Sequence, residues 1–153
     1  MVDLARATPG GLRRGAELAE LAGAPPTTLE DVLSGLRRAG LVASQRGPSG
    51  GWRLSRPAEE ITVADIIRGL EGSLTYVRGI RPDELEVDPD EVAMQHMWVA
   101  LRVQVRSVLE HVTLADLAAN RLDPDVEALC GDDDAWRTRD LRGTPGSLNV
   151  PDG

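Results

Sequence analysis

A chain of 153 residues with 41% hydrophobic content is long enough for one folded domain plus an arm or tail, and 3% aromatics with no Phe make its core aliphatic. A single cysteine, Cys130, excludes an internal disulfide framework and a cysteine-rich metal site, and no charged-then-apolar leader opens the chain. No run approaches the ~18 apolar residues of a membrane span, so a soluble protein of the cytoplasm is expected.

The net charge of −8 speaks against a nucleic-acid partner until the chain is divided. Residues 1–56 hold 8 Arg against 5 acids (+3), residues 57–122 hold 6 against 12 (−6), and residues 123–153 hold 3 against 8 (−5). Local charge sets the field at a phosphate within a Debye length, so the first part remains a candidate for DNA. All 17 basic residues are Arg, which reads as a composition bias rather than a device.

In chain order, Met1 to Ala7 reads as the end of a helix, broken by Thr8-Pro9-Gly10-Gly11. Arg14 to Ala22 carries Ala16, Leu18, Ala19, Leu21 and Ala22 on a helical period, with Gly23 as its stop. After the Ala24-Pro25-Pro26 turn a second helix is expected to start at Thr27 or Thr28, each an N-cap with an acid three residues on, Glu30 or Asp31. Its apolar stripe is Leu29, Val32, Leu33 and Leu36. Arg37 and Arg38 complement the negative end of its dipole, and Gly40 stops it. Leu41 to Gln45 and Trp52 to Ser55 carry β-formers on either side of Gly47-Pro48-Ser49-Gly50-Gly51. They predict a hairpin whose tip is stripped of bulk and flanked by Arg46 and Arg53.

Thr62 with Asp65 forms a capping box, stapled by Ile61 and Ile66, and Val63, Ile66, Ile67 and Leu70 define that helix's expected buried face up to Gly72. Residues 73–87 read as a loop. Asp88-Pro89-Asp90-Glu91 is a strong helix start, and the helix is expected to run to about Val112. Met94, Trp98, Leu101, Val105, Val108 and Val112 follow a 4, 3, 4, 3, 4 spacing, the seam of a coiled coil. At 1.5 Å per residue this helix is ~36 Å long, more than a small domain needs for its own core. Met97 and Trp98 read as packing residues, not a cofactor box. Thr113 with Asp116 is a further capping box, stapled by Val112 and Leu117, that restarts a short helix to about Asn120. Residues 122–153 read as an acidic, disordered tail.

Two helices joined by a tight turn, with Thr at the exposed start of the second, match helix-turn-helix grammar. A hairpin directly after a basic-ended helix would give such a unit its wing. The plainer alternatives are a helical hairpin, an ordinary αββ corner, and a long helix lying over its own domain.

The stretches Arg37-Arg38-Ala39-Gly40-Leu41-Val42, Gln45 to Leu54, and Pro57 with Glu60 to Ile66 closely resemble the Rrf2 family of bacterial transcriptional regulators, over roughly residues 4–120. The resemblance implies a mostly α fold with a small β-hairpin wing: a winged helix-turn-helix DNA-binding domain (1–72), a loop (73–87), a dimerisation helix with a short following helix (88–121), and the tail (122–153). It implies a homodimeric repressor of double-stranded DNA. By position, recognition-helix contacts fall on Thr27, Thr28 and Glu30, and wing contacts on Ser44, Arg46, Gly47 and Pro48, with Arg46 reaching into the minor groove. Many members hold an iron–sulfur cluster on three cysteines in the loop before the dimerisation helix. Residues 73–87 contain no cysteine, and Cys130 comes too late to match. His96 and His111, ~22 Å apart on one helix, cannot share a metal within a protomer. No cluster or metal is therefore expected, and the chain resembles the cluster-free branch, whose signals are small molecules, partner proteins or thiol oxidation. Members also open with another helical turn or two, so a late-annotated start or a shortened first helix is expected here.

A sequence-specific DNA-binding repressor is the leading reading. A winged-helix protein-interaction module with degraded DNA binding is the alternative, motivated by Glu30, Asp31 and the acidic total. No enzyme is expected, since no nucleophile–base pair, phosphate loop or metal set is present. The glycine-rich tip is followed by a strand rather than a helix, so it is no phosphate loop.

Overall fold

The computed structural model describes residues 1–7, 10–72, 88, 90, 92–131 and 133–136, the side chains of residues 133 and 134 excepted. The expected loop at 73–87, Glu91 of the predicted capping box and residues 137–153 of the predicted tail lie outside them. The chain divides into two compact units, Met1–Asp123 and Pro124–Gly153.

The first unit opens with α1 (Val2–Ala5), α2 (Gly15–Ala22) and α3 (Pro26–Arg38). Helix α2 ends as its sequence predicts, with Gly23 in the left-handed region at φ +60°. Helix α3 begins earlier than expected. Pro25 is its N-cap residue and Pro26 its first helical residue, so Thr27 and Thr28 lie inside the first turn and no side chain caps it. Proline at that position has its φ already fixed near the helical value and lacks an N–H that would otherwise go unbonded.

Strands β1 (Val42–Gln45) and β2 (Gly51–Leu54) pair antiparallel, with Val42 opposite Leu54, Ala43 opposite Arg53, Ser44 opposite Trp52 and Gln45 opposite Gly51. Leu41 accepts from the Ser55 N–H at 3.1 Å, which carries the ladder one step past β1. A segment the sequence left unassigned completes the sheet. Arg13 pairs with Trp52, each N–H donating to the other's carbonyl at 2.9 and 2.8 Å.

A short 3-10 turn (Ala58–Glu60) leads into α4 (Val63–Glu71), which the predicted box caps: Asp65 N–H donates to Thr62 Oγ1 at 3.1 Å and Thr62 N–H to Asp65 Oδ2 at 3.2 Å. The predicted buried face of α4 needs correcting. Ala64 is its buried residue, Val63, Ile66 and Ile67 are half-buried, and Leu70 is 42% exposed. The 3.6-residue period identifies an apolar stripe but not what covers it.

Helix α5 is described from Val92 to Leu109, ending earlier than the expected Val112, and none of its residues is buried. Ahead of it the Asp88 carboxylate accepts from the Asp90 N–H at 3.3 Å, as a capping residue does. Val112 lies beyond α5 and is only 6% exposed, and its carbonyl accepts from the Val63 N–H at 2.9 Å. It therefore packs into the protomer's own core, unlike the other residues of the expected stripe, none of which is buried. The seam period continues past the point where the helix stops. Helix α6 (Leu114–Ala118) carries its predicted capping box on Thr113 and Asp116.

Leu4, Leu18, Leu33, Leu36, Leu41, Val42, Ile61 and Leu114 form the core, with Trp52, Leu54 and Ile66 packed against it. Contributions from α1, α2, α3, the sheet and α6 hold the small domain together. In the second unit the expected disordered tail begins instead with α7 (Pro124–Ala128) and a 3-10 turn at Asp133–Trp136, where Trp136 Nε1–H donates to the Cys130 carbonyl at 2.8 Å. Proline at the first helical position and two acids in the first turn favour that helix. Among the described residues no helix is long and apolar enough to cross a membrane.

Candidate nucleic-acid interface

Helix α3 turns Leu29, Leu33 and Leu36 to the core, which fixes what it shows outward. Thr27, Glu30, Asp31, Ser34 and Arg38 then share one side, at i, i+3, i+4, i+7 and i+11 from Thr27. Thr27, Glu30, Asp31 and Arg38 are exposed and Ser34 is half-buried. Thr28 is exposed too, but sits about 100° round the helix from Thr27. The predicted contacts Thr27 and Glu30 therefore lie together, and Thr28 stands to one side. Ser34 and Arg38, which the sequence reading did not include, extend that side. Their signal was available in the helical spacing from Thr27, which the sequence reading did not extend beyond the first turn.

The wing is built to hold a thin tip. Gly47 sits at φ +113°, a region that side chains disfavour, and the Gly50 N–H donates to its carbonyl at 2.9 Å to close the turn over Pro48 and Ser49. A Cβ on Gly50 would lie 2.3 Å from the Gln45 carbonyl oxygen, and one on Gly51 2.6 Å from that of Arg13. Arg46, Gly47, Pro48 and Ser49 are all exposed. Ser44 lies at the foot of the wing on β1, also exposed, where Arg37 Nη1–H donates to its hydroxyl at 3.4 Å. The Arg37 guanidinium stands 6.0 Å from the centroid of the Trp52 ring, within the range of a cation–π contact. Arg13 is held by Glu17 at 2.8 Å.

Two readers thus project from one small core: the exposed side of a helix and a hairpin tip reduced nearly to backbone. A major groove admits a helix, and a minor groove admits an arginine on a thin support.

The sequence profile of the Rrf2 family, described as an iron-dependent transcriptional regulator, matches residues 1–120. A Mycobacterium tuberculosis protein named as an HTH-type transcriptional regulator is 42% identical over 132 residues, covering 86% of this chain and 82% of its own. Among solved structures, CymR (YrzC), the global cysteine regulator of B. subtilis, shares 34% identity with a TM-score of 0.66, over 79% of this chain and 88% of that one. T. potens IscR shares 34% identity with a TM-score of 0.62, over 78% of this chain and 77% of that one. The iron dependence in the family's description prompts a test of the donor set. The chain's one cysteine is exposed in the second unit, and among the described residues no three His, Cys, Asp or Glu side chains gather where a metal could be held. These residues do not fit a thiolate-held iron–sulfur cluster.

Proposed function

The chain belongs to the Rrf2 family of transcriptional regulators, which bind DNA through a winged helix, and from that premise we propose that it is a sequence-specific repressor acting as a homodimer without an iron–sulfur cluster. The observation that carries the reading is the wing. A tip held in place by Gly47, Gly50 and Gly51 presents Arg46 with little around it to keep a groove away. Arg46 reads the width and potential of a minor groove, Gly47 and Pro48 let the backbone approach, and Ser44 contacts the phosphates at the wing's foot. Thr27, Glu30, Asp31 and Ser34 face base edges in the major groove, and Thr28 a flanking phosphate. There the two carboxylates suit cytosine, whose N4 amino group donates to Glu or Asp.

Dimerisation falls to α5, whose apolar stripe (Met94, Trp98, Leu101, Val105 and Val108) contains no buried residue and leaves Met94 and Leu101 exposed among the described residues. A two-fold dimer reads two half-sites, and on a promoter it represses by excluding polymerase, with no further surface required. With one cysteine in the chain, the signal that releases it is a small molecule or a partner protein rather than a cluster.

The test is binding to the DNA upstream of its own gene across a salt series, with Arg46→Ala alongside. The substitution is expected to weaken specific binding by about 1–3 kcal/mol. Tight binding by the wild type that Arg46→Ala leaves untouched would instead favour a winged-helix module whose wing serves a protein.

A further inference from the structure

The face that meets DNA is made of two elements, and affinity for a site depends on the angle between them. The foot of the hairpin is held to α3 through the core, where Leu41 and Val42 pack with Leu33 and Leu36, but the core does not reach the exposed outer part of the wing. There one side chain joins the two elements. Arg37, in the last turn of α3, donates from Nη1 to Ser44 Oγ at 3.4 Å and lies over the Trp52 ring at 6.0 Å. Ser44 and Trp52 are directly opposite one another across the hairpin, one step below the Gln45–Gly51 pair that closes it. Trp52 is itself fixed: its backbone N–H and carbonyl are both bonded to Arg13, and its indole nitrogen would lie 3.8 Å from a Cβ on Gly15 at the start of α2. Arg37 thus ties the recognition helix to a cross-strand pair that is anchored on its far side to α2 and its approach.

We infer that Arg37 is a positioning residue, which sets the wing's angle to α3 and so lets Arg46 reach the minor groove when α3 is seated in the major groove. The inference rests on the DNA-binding reading above. An arginine at the end of a DNA-facing helix would ordinarily be counted as a phosphate contact. The difference is that this guanidinium already has a ring face and a hydroxyl as partners, both on the wing. Arg is also the residue suited to holding both. Its plane lies along an aromatic face while its edge donates, and a lysine ammonium, though equally charged, offers no such plane.

The two roles differ in what they predict. A duplex selected from random sequence by the wild-type protein is used as probe, with a second duplex in which the A·T pairs under the wing are changed to G·C. Wild type, Arg37→Lys, Arg37→Met, Arg46→Ala and the Arg37→Met/Arg46→Ala double variant are titrated against both, across a salt series. As a positioning residue, Arg37 acts through Arg46. Arg37→Lys and Arg37→Met should each reduce the preference for the A·T duplex about fivefold, the scale of coupling between residues that share partners. Adding Arg37→Met to Arg46→Ala should then cost no further preference, and the salt slope should stay at its wild-type value. A phosphate contact would behave differently: Arg37→Met would weaken binding to both duplexes equally, lower the slope by about 0.9, and be rescued by Arg37→Lys. That outcome overturns the inference and leaves the repressor reading standing. A wild-type protein that selects no DNA at all overturns both.

Discussion

Gly51 and Gly47 lie in the same hairpin for different reasons, and the difference can be measured. A Cβ at Gly51 would meet the backbone oxygen of Arg13 at 2.6 Å and its carbonyl carbon at 3.0 Å, atoms that move only if the Arg13–Trp52 pair opens. Gly47 has open space around it, and an alanine there is opposed only by its φ of +113°. Gly47→Ala should therefore cost about 1–2 kcal/mol, the usual scale of that backbone strain. Gly51→Ala should cost about 2–3 kcal/mol, because it forfeits two hydrogen bonds as well as packing. Urea melts of the two variants test this, and equal costs would mean that the close approach of Arg13 to β2 is not part of the native fold. Sequence reading recognised a tip without bulk, but it placed Gly51 in the turn rather than in β2. The reason for that glycine, a strand partner far upstream, has no local signature. The misplaced start of α3 has the opposite cause. Thr27 and Thr28 are strong capping residues taken alone, yet Pro26 is better suited still to the first helical position.

At the scale of elements, the capping boxes were legible because each is complete within four residues, but their relation was not. Thr62 and Thr113 form an antiparallel bridge, with the Val63 N–H donating to Val112 and the Leu114 N–H to Ile61 at 2.9 and 2.8 Å. The starts of α4 and α6 are thereby locked together. The end of α5 is fastened to the same place through Glu110, which accepts from Arg106 one turn earlier and from Arg68 of α4. Those two arginines, Arg106 first, hold the Glu110 carboxyl at about 2, down from an ordinary value of 4.5. A carboxyl held low when folded adds stability above its unfolded value and loses it as pH falls through the folded one. The contribution is thus present from about pH 4.5 upward and is gone below about pH 2. Melting temperatures across that range should fall less steeply for Glu110→Gln than for the wild type. The difference should shrink in high salt, because water and ions reach this exposed pair. Superimposable profiles would mean that the Arg68–Glu110 contact does not fasten α5 to α4 in solution.

At the scale of the whole molecule, the DNA-facing part was visible in the charge once the chain was divided, since residues 1–56 alone are positive, at +3. The apolar stripe on α5 was visible as a period, although the period ran on to Val112, which the domain buries in its own core. What the chain could not reveal by itself is how much of α5 its own domain covers. In the fold Met94 is 58% and Leu101 47% exposed, and no residue of the helix is buried. Helices in water draw most of their stability from packing an apolar face, and the exposed stripe of this 18-residue helix is what the proposed dimer would cover. The proposed two-fold dimer would also set two positive faces on one duplex, so that the second half-site would be bound at the effective concentration of the first. Leu101→Asp tests this directly, since Leu101 is at the middle of the stripe and the protomer's core does not depend on it. The variant should keep its far-UV circular dichroism at high concentration outside α5, elute and scatter light as a monomer, and lose operator affinity by about a hundredfold, the lower end of what bivalency adds. Leu101→Met, which preserves volume and polarity, should remain a dimer and bind as the wild type does. A Leu101→Asp protein that stays dimeric would move the interface off this stripe. One that is monomeric yet binds its operator undiminished would separate dimerisation from DNA recognition.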